Sequence, residues 1–169
     1  MLASLVVVLA ALAILAQVAS PALPWSGGRP PECREVTEHS ANGWERAKAP
    51  DLKRYCDLIA NASSKLAGTT VMAQAALSAA READRVRPGY AAPRVLEGRA
   101  LAAAGDLEGA LRALAEARSR DVRSLEDPPA LFAWARVLAR TGHREEATNA
   151  YRSLLPRASV LSAADRSSA

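Results

Sequence analysis

The amino-acid sequence predicts an all-helical domain, and two observations lead to this expectation. Half of the 169 residues are apolar while only 4% are aromatic, and Ala and Leu dominate the apolar share. These residues favour helices and allow helices to pack at short distances. Beyond residue 20 the chain lacks the runs of Val, Ile, Thr and Tyr from which a sheet is built. We therefore expect neither a β fold nor an α/β fold.

Six helices are expected after Pro50, because apolar residues recur there three and four positions apart. They cover residues 51–67, 70–86, 91–104, 107–119, 128–140 and 144–155. Glycines that tolerate the left-handed backbone of a turn follow three of them, namely Gly68, Gly105 and Gly142. Asp106 is placed to cap the fourth helix, and Asp127 with Pro128 forms a cap and first-turn pair for the fifth.

A hydrophobic segment opens the chain. Every residue of 2–19 is apolar except Ser4 and Gln17. The segment is marginally long enough to span a bilayer, and it also suits the core of a signal peptide cleaved after Ala22. We therefore expect residues 1–22 to be a signal peptide or a membrane anchor, which indicates a protein of the cell envelope or a secreted one.

The orientation of this segment in a membrane stays open. No Lys or Arg precedes it, whereas Arg29 and Arg34 follow it closely. By the positive-inside rule this distribution favours a cytoplasmic C-terminal part, which conflicts with simple export. Both orientations are therefore retained.

Residues 23–50 are expected to form a linker, since their Pro and Gly content breaks helices and offers little core. Cys33 lies in this stretch, and Cys56 lies on the apolar face of the first expected helix. Two cysteines in an exported chain commonly form a disulfide. The alternative is that Cys56 is a small core residue and Cys33 a free thiol. No metal site is expected, because the spacing of Cys33, His39 and Cys56 matches no zinc pattern.

Small and apolar residues recur at fixed spacing in the middle of the chain, at Gly98, Leu101, Gly105, Asp106, Leu107, Ala110, Leu111, Leu114 and Ala117. This spacing closely resembles the tetratricopeptide repeat. The next helix pair repeats the pattern at Ala135, Leu138, Gly142, Ala147 and Tyr151, and a weaker copy precedes it at Ala76, Ala80, Ala83 and Pro88. Arg94 and Glu97 depart from the pattern, since they stand where the family has bulky apolar residues.

The resemblance implies a right-handed α-solenoid of antiparallel helix pairs over residues 51–157, as in bacterial envelope proteins with such repeats. A terminal helix or tail would follow at 158–169. A generic helical bundle is the alternative fold. The family implies a non-catalytic scaffold that holds a peptide or helix of a partner protein in its concave groove. Alternatively, the repeats are the soluble appendix of a larger membrane assembly, such as an envelope-polysaccharide or secretion machine.

The resemblance to the repeat implies that Arg99 and Arg136 occupy equivalent positions facing the concave groove, and that Lys65 adds a third cation to them. Val95 and Phe132, one turn earlier, would supply an apolar floor. We therefore expect a ladder of cations that binds the carboxylates of an acidic partner. The alternative is that these are solvated surface charges.

The sequence predicts no catalytic residue, cofactor or nucleic-acid partner. His39 and His143 have no convergent nucleophile or metal-ligand spacing, and the chain carries no Gly-rich phosphate loop, HExxH or CxxC motif. The net charge of +4 is spread over arginines interspersed with acidic residues, without the concentrated patch that nucleic-acid binding requires. A membrane would be a partner only through residues 2–19, if they are not cleaved. The partner's identity and the oligomeric state are left open.

Overall fold

The computed structural model describes residues 29–38, 50–67 and 72–161. Within these ranges the chain is helical and contains no strand, which confirms the expected all-α class. The helices are α1 (Pro31–Glu38), α2 (Pro50–Ala67), α3 (Ala73–Val86), α4 (Ala91–Ala104), α5 (Leu107–Arg120), α6 (Pro128–Arg140) and α7 (Arg144–Leu154), followed by a 3-10 helix (Leu155–Val160). The hydrophobic N-terminal segment, Gly68, His39 and the tail after residue 161 lie outside the described residues. None of the described helices is long and apolar enough to cross a membrane.

The helix boundaries follow the sequence closely, with small differences at four ends. The helix expected at 51–67 begins one residue earlier, at Pro50. The helix expected at 70–86 begins only at Ala73, because Met72 has a non-helical backbone and precedes the first turn. The helix expected at 107–119 continues to Arg120. The helix expected at 144–155 ends at Leu154, since Pro156 has no N–H for the next α-helical hydrogen bond and the chain continues as a 3-10 helix.

The expectation of a linker over residues 23–50 is wrong for Pro31–Glu38, which form α1 and pack against α2. Proline is tolerated in the first helical turn, where its missing N–H has no partner in any case, so Pro31 begins this helix and does not break it. A helix of this length and polarity is too short to be stable alone. Contacts with α2 must therefore hold α1 in place.

Two contacts attach α1 to α2. The Sγ atoms of Cys33 and Cys56 form a disulfide, and Tyr55 Oη donates a hydrogen bond of 2.7 Å to Glu32 Oε1. Burial raises the pKa of the Tyr55 hydroxyl, and the Glu32 carboxylate raises it further, so Tyr55 keeps its proton and stays a donor. Closing a loop between residues 23 positions apart stabilises the fold by about 3 kcal/mol in the chain-entropy model.

The other helices pack mainly against their neighbours along the chain. The contacts join α2 to α3, α3 to α4, α4 to α5, and α6 to α7. In addition, α4 contacts both α2 and α6, so these three helices lie in one row, which we call the inner row. The 3-10 helix packs against α7 and α6. The order of packing therefore follows the order of the sequence.

The core contains many residues with small side chains. Alanines that are completely inaccessible to solvent occur in every helix from α2 to α6, namely Ala62, Ala76, Ala80, Ala83, Ala100, Ala110, Ala117, Ala130 and Ala135. A methyl group buries little apolar area, so these interfaces gain their stability from the dispersion contacts that a short helix-to-helix distance permits.

The helices α4 and α5 cross at short distance at Gly98. A Cβ atom added to Gly98 would lie 2.5 Å from Leu114 Cγ and 3.2 Å from the carbonyl oxygen of Ala110. The turn between the two helices has the expected chemistry. Gly105 adopts a φ of 89°, and the Asp106 side chain accepts a hydrogen bond of 2.8 Å from the Gly109 N–H. These two residues were predicted correctly as turn and cap.

Arg94 and Glu97, which were predicted to break the apolar pattern, belong to a group of six charged side chains that we call the ionic cluster. Its members come from α3, α4 and α5 and are Arg81, Asp84, Arg94, Glu97, Glu116 and Arg120. Arg94 donates to Glu97 at 2.7 Å and to Asp84 at 2.9 Å, and Arg120 donates to Asp84 at 2.6 Å. Three cations and three carboxylates balance in charge.

The ionic cluster explains how a charged residue can occupy a buried position of α4. Glu97 is only 6% exposed, yet it accepts hydrogen bonds from both Arg81 and Arg94. A buried ion pair with good geometry adds little net stability, but loss of one partner costs about 3 to 5 kcal/mol because it leaves an uncompensated charge. The cluster therefore fixes the relative placement of three consecutive helices more than it adds to their stability.

The crossing at Gly98 can be tested by adding one methyl group. We expect Gly98→Ala to lower the free energy of unfolding by about 1 to 3 kcal/mol, because the clash with Leu114 outweighs the roughly 1 kcal/mol that alanine gains in helix propensity. Urea denaturation followed by circular dichroism measures the change. In a Leu114→Ala background, where the clashing atoms are absent, Gly98→Ala should cost much less. Equal losses in the two backgrounds would contradict the proposed contact.

Candidate partner-binding groove

A groove runs along the inner row and brings together three of the residues singled out in the sequence. We call it the inner groove, and it has a volume of about 120 Å³. Its main lining residues are Leu66 of α2, Arg99 and Ala102 of α4, and Phe132, Arg136 and Arg140 of α6. Arg99, Phe132 and Arg136 thus lie in one site although they are separated by up to 37 positions in the chain.

The other two predicted groove residues do not line the inner groove. Val95 is buried among the core residues, because the face of α4 one turn before Arg99 packs against neighbouring helices. Lys65 is half-buried on α2, next to the lining residue Leu66. The partly exposed apolar surface of the groove therefore comes from Leu66 and Ala102, while Phe132 lines the groove but is only 3% exposed.

The side chain of Arg136 is held against an aromatic pair. Its Cζ atom lies 5.5 Å from the centroid of the Phe132 ring, a distance at which the cation is attracted to the π-system. The Phe132 ring in turn meets the Tyr151 ring edge-on, with centroids 6.5 Å apart. Burial raises the pKa of the Tyr151 hydroxyl, and the nearby Arg136 guanidinium opposes this change. These contacts orient Arg136 along the groove.

Arg140 lines the inner groove but was missed in the sequence. It lies four residues after Arg136 on the same helix, and side chains at this spacing share one helix face. This spacing was the available signal. Arg140 is exposed, and the described part of the chain provides it with no ion-pair partner. The two arginines together give α6 a cationic edge.

The inner groove is strongly one-sided in charge. Arg99, Arg136 and Arg140 line it, and none of its described lining residues is a carboxylate. Arg99 is influenced by Asp127, which lies at the N-cap of α6 outside the lining. The groove therefore offers guanidinium donors beside an apolar surface, which is an arrangement suited to carboxylates attached to an apolar chain.

Asp127 is a half-buried acid at the start of α6. Burial raises the pKa of its carboxyl group, and this effect exceeds the opposing effects of Arg99, of the Ala130 N–H and of Arg157. The charged form of Asp127 is thus less favourable in the folded protein than in the unfolded chain. Asp127 occupies the predicted N-cap position of α6 and Pro128 lies in the first turn, but the Asp127 side chain accepts no capping hydrogen bond.

The described residues show no cluster of three or more His, Cys, Asp and Glu side chains placed to hold a metal ion. His143 lies in the turn before α7, where its Nδ1 is 3.0 Å from Thr141 Oγ1. Comparisons of the chain with protein-family models, with curated proteins and with solved structures find no match. The inner groove is therefore the feature that bears most directly on function.

Asp127→Asn tests the burial of the carboxylate. The pKa of Asp127 is higher in the folded protein than in the unfolded chain, so its stabilising contribution is present below about pH 4 and is lost as the pH rises through the raised pKa. Asparagine is an equally good N-cap and carries no charge. We therefore expect Asp127→Asn to be more stable than the unsubstituted protein at pH 7 and equally stable near pH 3.

Thermal unfolding at a series of pH values measures this difference. Asp57→Asn, at an exposed position of α2, serves as the control for removal of a surface carboxylate. A stability difference that grows as the pH falls would refute the assignment.

Proposed function

We propose that this protein is a non-catalytic scaffold that binds an acidic peptide or helix of a partner protein in the inner groove. The observation that carries the proposal is the meeting of three arginines with an apolar surface and no lining carboxylate. Arginine binds carboxylates through two parallel hydrogen bonds, and the partly exposed Leu66 and Ala102 provide contact for apolar side chains between them. A segment in which acidic and apolar residues alternate along one face fits this site.

We further infer that the helix pairs form a right-handed α-solenoid of the tetratricopeptide type over residues 51–157. Three observations support this. The helices α2, α4 and α6 lie in one row. Gly98 stands where the paired helices α4 and α5 cross at short distance. Gly105, directly after α4, and Gly142, two residues after the end of α6, have nearly the same positive φ, 89° and 90°. In such an array the inner row forms the concave surface that holds a partner.

Removal of the cationic edge of α6 tests the proposed function. We expect Arg136→Gln/Arg140→Gln to weaken binding of an acidic amphipathic helical peptide at least about tenfold, since two charge-assisted contacts are lost. Glutamine retains the length needed to cover Phe132. Fluorescence anisotropy of a labelled peptide of repeated Glu and Leu measures the affinity, which should also fall as the salt concentration rises.

The matched control is Arg112→Gln/Arg144→Gln, which removes the same charge from exposed positions of α5 and α7 away from the inner groove. If both double variants lost affinity equally, the peptide would be responding to net charge and the groove would not be its site. Peptide binding that is unchanged in Arg136→Gln/Arg140→Gln would refute the proposal directly.

We propose that residues 1–22 export or anchor the chain and that the helical domain lies in the cell envelope, outside the cytoplasm. The disulfide between Cys33 and Cys56 supports this location, because disulfides persist in oxidising compartments and are rare in the cytosol. Residues 29–38 belong to the folded domain in this view, since α1 is tied to α2.

Thiol labelling tests the location. In intact cells we expect a membrane-impermeant maleimide to label Cys33 and Cys56 only after treatment with a reductant, because the oxidised pair has no free thiol. Mass spectrometry of the labelled chain gives the readout, and a Cys33→Ser/Cys56→Ser variant gives the background. Thiols that are free without reductant but are reached only after lysis would place the domain in the cytoplasm.

A further inference from the structure

A second groove, distinct from the inner groove, lies between α5 and α7. We call it the outer groove, and it shares no lining residue with the inner groove. Its floor is formed by Leu125, Leu131 and Trp134, and its volume is about 650 Å³. A groove of this size accepts several side chains of a partner.

The loop between α5 and α6 creates the outer groove. Residues 121–127 separate these two helices, whereas a single residue pair, Gly105 and Asp106, separates α4 from α5. The longer loop leaves α5 and α7 with few contacts to each other, so the floor residues from the loop and α6 border open space. Val122 stands at the edge of this space and is 72% exposed, although it is a large apolar residue.

The rim of the outer groove carries two opposite charges without a partner. Arg118 lies on α5 and Glu146 on α7, both are exposed, and neither forms an ion pair or side-chain hydrogen bond within the described ranges. They are not within ion-pair distance of each other. A partner of one charge sign would satisfy only one of them.

We propose that a second copy of this chain docks at the outer groove and forms a two-fold symmetric dimer. In such an interface residue i of one copy meets residue j of the other, and residue j meets residue i. Arg118 of each copy would then pair with Glu146 of the other, which gives two symmetry-related ion pairs across the interface. Val122 of each copy would enter the apolar floor of the other and be removed from water.

The mass of the full chain in density-matched detergent micelles tests the dimer. Sedimentation equilibrium should give twice the chain mass of 17.8 kDa. Val122→Glu should raise the dissociation constant of the dimer at least about tenfold, since it places a charge in an apolar interface. The control is Leu155→Glu, because Leu155 is equally exposed at 72% but does not line the outer groove. It should leave the dimer intact.

A charge exchange tests the two-fold arrangement itself. Arg118→Glu and Glu146→Arg should each weaken the dimer, because each places like charges opposite one another. The double variant Arg118→Glu/Glu146→Arg should restore it, since both pairs are re-formed with reversed sign. Circular dichroism of every variant checks that the helices remain folded.

Three results would overturn the proposal: a single-chain mass, a dimer as tight in Val122→Glu as in Leu155→Glu, or a double charge variant that stays as weak as its parents. A single-chain mass would leave the outer groove to another occupant. Peptide binding at the inner groove involves none of these residues, so the proposed function is tested separately.

Discussion

The structure depends on the short distance at which α4 and α5 cross, and this distance is set by the absence of a side chain at Gly98. Leu114 fills the space that a Cβ atom would need, and fully buried alanines line the neighbouring crossings. Such interfaces bury little apolar area per residue, so their stability comes from the dispersion contacts between closely packed atoms. A displacement of a few tenths of an ångström at one crossing changes the position of the helices that pack on it, including the inner row.

Charged side chains also join the packed helices, and of these, among the described residues, only Glu97 is fully buried. The guanidinium groups of Arg94 and Arg120 both donate hydrogen bonds to Asp84, and all three side chains are partly exposed. The ionic cluster couples α3, α4 and α5 by directional hydrogen bonds in place of bulky apolar contacts. At the N-terminal end the chain uses a covalent bond for the same purpose, since α1 has too few residues to be held by packing.

The sequence predicted the parts of the fold that depend on local chemistry. The helices α2 to α7 follow from apolar periodicity, and Gly105 and Asp106 follow from the stereochemistry of turns and caps. It did not predict α1, because a short Pro-rich segment acquires helical structure only through the contacts of Cys33 and Glu32 with α2. Arg99 and Arg136, which the resemblance to the repeat singled out, both line the inner groove, and their role in binding stays a prediction. The burial of Val95 was not foreseen, since it depends on which neighbours surround α4.

The two grooves are lined by different residues of the same helix, α6. In α6, Phe132 and Arg136 line the inner groove, whereas Leu131 and Trp134 line the outer groove. A helix that is apolar on most sides belongs in the centre of a protein, and the exposed residues of α6 are Ala139 and Arg140 at its C-terminal end, with Arg136 half-buried one turn before Arg140. A bound partner and a second copy of the chain would therefore contact different residues of α6, so the two would not compete. The loop before α6 serves both grooves, because it supplies Leu125 to the outer floor and places Asp127 near Arg99.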